Sequence, residues 1–168
     1  DKVMPTKLTW KRGFFSETYK IFSDNNLIGS FNKSVWKNIA FGELNGKKFE
    51  FTTTGIFKQQ TDIIDSAAGK SIGKIIYNKW GTKAQVEIIP DSVYNWKYDN
   101  LWNTKWSLSD SSSKPINFKC SSSKGEIDIE EMNESLILAG LFISNFYMQN
   151  AIVVAVAIFV PVLAAASR

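Results

Sequence analysis

Two groups of charged side chains lie close enough in the chain to act together. Glu126, Asp128, Glu130, Glu131 and Glu134 are crowded ahead of the longest apolar run, and carboxylate oxygens are what Ca²⁺ requires. Asp128, Glu130 and Glu131 are the weak calcium candidates of this cluster, since no EF-hand loop or comparable Gly-containing loop accompanies them. The plainer reading is an outward strand face followed by acids at a helix N-terminus, where the macrodipole favours them. The second group is basic: Lys47, Lys48, Lys58, Lys70, Lys74, Lys79 and Lys83 occupy the middle of the chain. Of these, Lys47, Lys48, Lys70 and Lys74 lie near the turn signals Asn45-Gly46 and Ala68-Gly69. If the hairpins gather them on one face, they form a patch for anionic phospholipid or phosphoinositide headgroups. Solvated lysines on outward positions explain them nearly as well.

Other chemistry is narrowed by absence. The chain has no histidine, which removes Ser-His and Cys-His nucleophile systems and the commonest metal ligand. Asp62 and Asp65 have no other convergent group for acid–base work. No catalytic residue, resident metal or cofactor is therefore expected, and the chain reads as a non-enzymatic binding module. Cys120 is the one cysteine and has no intramolecular partner, which suits a reducing compartment: a cytoplasmic protein, associated with a membrane surface if the lysines serve lipid. A net charge of +4, from 20 basic against 16 acidic residues, suits an anionic partner but falls short of a nucleic-acid-binding signature. A protein partner is the alternative to lipid. The tryptophans Trp10, Trp36, Trp80, Trp96, Trp102 and Trp106 read as barrel core and rim packing rather than as a stacking platform for carbohydrate or nucleic acid.

The elements that must position these residues are short strands. Runs such as "YKIF", "FEF", "AQVEI" and "EIDI" alternate apolar and polar residues at the strand period. Turn signals separate them, the strongest being Asn45-Gly46, where both residues tolerate the positive φ of a type I′ hairpin. The hairpins also repeat. Trp36 and Trp80, Ala40 and Ala84, Glu43 and Glu87, Leu44 and Ile88, and Ile28-Gly29 and Ile72-Gly73 all share an offset of 44 residues. A weaker third copy pairs Phe51 with Trp96 and Asp65 with Asp110 at an offset of 45. Such an offset, shared across residue types, points to an internal duplication. Three units of two hairpins predict about twelve strands over residues 1–130. So many strands close into a barrel too wide for its own side chains to fill, because about eight already suffice.

The occupant is at hand. Leu136 to Val160 form a run of 25 apolar-dominated positions before Pro161, a helix about 37 Å long. A helix that is hydrophobic all round is either buried in protein or in a membrane. Ser144, Asn145, Gln149 and Asn150 place polar groups mid-segment, where barrel-lining residues offer partners and lipid does not. The expectation is one domain, 1–168, mainly β with one helix: a closed antiparallel barrel of about twelve strands over 1–130 around a central hydrophobic helix within 131–168. The alternative keeps 136–160 as a transmembrane helix.

This organisation resembles the tubby-like superfamily, which includes tubby C-terminal domains, phospholipid scramblases and LURP-one-related proteins. The segment "LILAGLFISNFYMQN" is similar to the scramblase helix pattern, with Phe142, Ile143, Ser144, Asn145 and Phe146 in its places and Asn145 where that pattern carries an acid. "IIDSAAGKSIGKI" looks like the Asp-turn-Gly hairpin of LURP-one-related proteins. The resemblance implies the plugged barrel, lipid-headgroup or partner binding at a membrane, and, by analogy with scramblases, calcium near the acidic cluster. A scramblase-related membrane protein and a structural module without a small ligand are the other functions within its range.

Overall fold

The computed structural model describes residues 6–13, 17–33 and 38–166. Twelve strands follow one another: β1 (Thr6–Arg12), β2 (Thr18–Ser23), β3 (Asn26–Lys33), β4 (Ile39–Leu44), β5 (Lys47–Thr54), β6 (Gln60–Asp65), β7 (Lys70–Tyr77), β8 (Lys83–Ile88), β9 (Ser92–Tyr98), β10 (Lys105–Ser109), β11 (Ile116–Ser121) and β12 (Lys124–Ile129). Helix α1 (Glu134–Ala166) comes last. Each strand pairs antiparallel with the next, and β1 pairs with β12, so the meander closes into a barrel without a free edge.

The alternation seen in the sequence decides which side chains face inward. Leu8 and Trp10 on β1, Tyr19 and Ile21 on β2, Phe49 and Phe51 on β5, and Ala84 and Val86 on β8 are buried, and the residues between them are not. Asn45 and Gly46 have φ of 51° and 78°, the left-handed pair expected of a type I′ turn. The duplication is structural as well. Gly29 on β3 and Gly73 on β7 each lie so close to the neighbouring strand that a Cβ would strike a carbonyl oxygen, that of Glu43 or Glu87. Both members of this contact recur 44 residues apart, and a β-bulge precedes each.

The helix enters the barrel beside the β4–β5 turn. Asn133 caps it, its Oδ1 accepting from the amide of Leu136 at 3.2 Å. Eight successive residues, Leu136 to Ile143, include seven of the buried hydrophobic core together with Gly140. The Phe142 ring stacks on Phe51 with centroids 5.0 Å apart, and Phe146 stacks on Tyr77 at 4.1 Å. Small residues set how closely helix and wall approach. At Gly140 the space a side chain would take is filled by the Phe118 ring. The Gly140 carbonyl accepts from two indoles, Trp96 Nε1 at 3.2 Å and Trp106 Nε1 at 3.1 Å.

Burial ends near Tyr147, because strands of five to eight residues make a barrel only roughly 12–22 Å tall once tilted. The 33-residue helix is about 50 Å long, so its second half projects beyond the wall. It also continues through Pro161 to Ala166, past the expected end at Val160. Proline there forfeits one hydrogen bond to the preceding turn, and the alanine-rich residues after it keep the helical path. Residues 136–147 thus plug the barrel, and beyond them Ala151, Ala157, Ile158 and residues 162–166 are exposed.

Candidate functional site

Because the sheet is a continuous meander, its connections alternate between two ends. At the end where the helix enters, the connections carry Asp24, Asp91, Asp110, Glu130 and Glu131, with Ile89 and Met132 as their exposed apolar side chains. At the end where it leaves, the connections 55–59, 78–82 and 99–104 present large apolar side chains to solvent. Ile56 is 88 % exposed, Phe57 102 %, Trp80 84 %, Leu101 97 % and Trp102 86 %. Between them the emerging helix exposes Ile158, Val162 and Leu163.

Single exposed apolar residues are ordinary, but a cluster at one end of a molecule marks a contact surface. The loops are built to hold these residues outward. In 78–82 the Asn78 Oδ1 accepts from the Thr82 amide at 3.1 Å, and its Nδ2 donates to Thr82 Oγ1 at 2.9 Å. In 99–104 the same clasp recurs 22 residues later: Asn100 Oδ1 accepts from the Thr104 amide at 3.0 Å and Nδ2 donates to Thr104 Oγ1 at 2.6 Å. Trp80 and Trp102 sit at equivalent places within the two clasps. Tyr147 ties the first to the helix, its hydroxyl accepting from the Asn78 amide at 3.2 Å. Lys58 and Lys79 stand among the apolar tips.

Inside this rim, an open hollow of about 1490 Å³ lies between the emerging helix, the surrounding loops and the end of the barrel wall. On the barrel side it is bordered by the half-buried Tyr98 and Cys120 together with the buried rings of Trp10, Tyr19 and Trp106, and on the helix side by Ser144. Burial pushes the Tyr98 phenol up to about 12 and raises the Tyr19 phenol and the Cys120 thiol, so all three are neutral at physiological pH. Arg12, at the end of β1, brings the cationic group: its guanidinium lies 5.8 Å from the centre of the Tyr19 ring. No carboxylate pairs with it among the described residues.

The four lysines singled out in the sequence lie elsewhere, and each faces an acid. Lys47 pairs with Glu134 at 3.1 Å and Lys74 with Glu87 at 3.4 Å. Lys48 is in register with Glu43, and Lys70 with Asp65. Lys47, Lys48 and Lys70 sit toward the helix-entry end. The weak calcium candidates are also dispersed: Asp128 is in register with Lys7, Glu130 pairs with Lys114, and Glu131 is exposed. No group of three or more potential ligand side chains among the described residues could hold a metal ion. The tryptophans divide. Trp10, Trp96 and Trp106 are core residues, Trp80 and Trp102 are exposed loop tips, and Trp36 lies outside the described residues.

Comparison with family models, with curated proteins and with solved structures returned no match.

Proposed function

We propose that this protein is a non-enzymatic module that docks on a lipid bilayer through the apolar end of its barrel, with the emergent helix dipping into the near leaflet. The observation that carries this reading is the rim itself, in which separate loops display exposed aromatic and aliphatic tips around an exposed apolar helix. Tryptophan favours the membrane interface, where its ring is apolar and its N–H remains wet, and lysines among the tips suit anionic headgroups. Among the described residues no helix is long and apolar enough to cross a membrane. A span over 136–160 would require emptying the barrel of its core. The plugged barrel is the architecture that the tubby-like resemblance implies, and that resemblance supports a membrane-surface role without naming a lipid.

Flotation with vesicles of phosphatidylcholine and phosphatidylserine tests the proposal. Each large apolar tip that leaves water contributes about 1.5 to 3 kcal/mol. Replacing Phe57, Trp80 and Trp102 together by Ser should therefore abolish flotation. Binding by the parent should survive high salt, which screens surface charges. Replacement of Lys47, Lys48, Lys70 and Lys74 by Glu should leave it largely intact. If the lysine variant fails to float and the rim variant floats, the headgroup patch is the binding surface. If the parent does not float, the rim serves a protein partner.

A further inference from the structure

The cavity that opens inside the rim carries a second inference, which rests on that end facing lipid. Its volume of about 1490 Å³ takes in the space between the loop tips as well as the hollow beside the helix. On the barrel side it meets β1, β2 and β9–β11, where half-buried Tyr98 and Cys120 border it together with the buried rings of Trp10, Tyr19 and Trp106. Near the mouth it meets Phe57, Trp80 and Trp102, so a chain leaving a docked bilayer enters without crossing water. At the end of β1, Arg12 offers a guanidinium that no acid of the described protein neutralises, and Arg is suited to two-pronged recognition of carboxylate and phosphate.

We propose that this hollow is a binding site for one acyl chain bearing an anionic head, with the carboxylate or phosphate at Arg12 and the chain lying along Tyr98, Cys120 and the Ser144 side of the helix. A long apolar chain suits the uncharged aromatic depth, and an acidic head suits the cation at its edge.

Brominated lipids, which quench tryptophan on contact, test this in a full-length background with Trp36, Trp80 and Trp102 replaced by Phe, so that emission comes from the barrel interior. One arm uses monomeric dibromostearate in solution. The other uses brominated phosphatidic acid in phosphatidylcholine vesicles. Saturable quenching at one lipid per chain in either arm is the expected result, and the arm that gives it identifies a free fatty acid or a bilayer lipid as the source. Arg12→Gln should weaken binding about tenfold, the scale of one charge-assisted hydrogen bond, and Cys120→Phe, which crowds the path of the chain, should weaken it as well. Circular dichroism of both variants verifies the barrel. Absence of saturable quenching in both arms overturns the proposal, as does unchanged binding by folded Cys120→Phe. Trp80→Ser/Trp102→Ser protein, examined by calorimetry with stearate, separates the two readings. Retained stearate binding with lost vesicle flotation supports both, and flotation without any interior quenching leaves docking standing and removes the cavity site.

Discussion

Replacing Gly140 by Ala probes how the helix is held in the barrel. In an exposed helix this change stabilises by about 1 kcal/mol, since glycine has the greater backbone freedom to lose. Here the added methyl would be driven into Phe118: besides a closer clash with Cζ, it would lie 2.7 Å from Cε2 and 3.1 Å from Cε1, where ordinary carbon contacts begin near 3.5 Å. The ring cannot swing aside cheaply, because its other face stacks on Trp106 with centroids 5.6 Å apart and planes 6° from parallel. Moving the helix instead stretches both indole bonds to the Gly140 carbonyl, each worth roughly 1 kcal/mol net. Overpacking of this kind costs about 1 to 3 kcal/mol, so the sign reverses and Gly140→Ala should be destabilised by about 1 kcal/mol net. For a domain of this size that is a fall in Tm of roughly 2 to 4 °C. Urea unfolding followed by tryptophan fluorescence gives the free energy, and Phe118→Leu in the same protein should recover at least half of the loss. A variant as stable as the parent, or more stable, would refute the close approach of helix and β11.

Phe146→Ala removes a ring stacked on Tyr77 and should cost about 3 to 5 kcal/mol in a chemical melt by opening a cavity. Replacing the exposed Trp80 or Trp102 by Ser should change stability by no more than about 0.5 kcal/mol, so a severe loss would mean that these tips pack on something within the fold. The phenols of Tyr98 and Tyr147 are both pushed up to about 12 by burial. The folded chain therefore keeps protons that the unfolded chain releases above its ordinary phenol value of about 10, and stability should be fully present below that pH and decline between about 10 and 12. Alkaline melts and phenolate absorbance measured together would record this, and a flat Tm across that window would count against it.

The barrel and its plug could be read from the chain because their causes are local. Alternation placed Leu8, Phe51 and Val86 inward, Asn45-Gly46 set a tight turn, and the offset of 44 residues marked a duplicated pair of hairpins. The extent of the plug was not local, because it depends on barrel height, and strand tilt cannot be read from residue types. Cross-strand register was equally hidden: it sets Lys48 opposite Glu43 and Lys70 opposite Asp65. The rim went unseen for a different reason: Trp80 and Trp102 are the same residue type as the buried Trp96 and Trp106. Their surroundings did carry the signal. "NKWGT" and "NLWNT" repeat an Asn and a Thr around tryptophan at a spacing of 22, the clasp that holds each tip outward.

Depth-dependent quenching in vesicles tests bilayer docking most directly. Protein retaining only Trp80 and Trp102 is mixed with phosphatidylcholine and phosphatidylserine vesicles that carry bromine at a shallow or a deep acyl position. Docking through the apolar end predicts strong quenching by the shallow label, weaker quenching by the deep one, and a blue-shifted emission that persists at high salt. Emission unaffected by either label, in vesicles to which the protein has demonstrably bound, would show that another face meets the membrane.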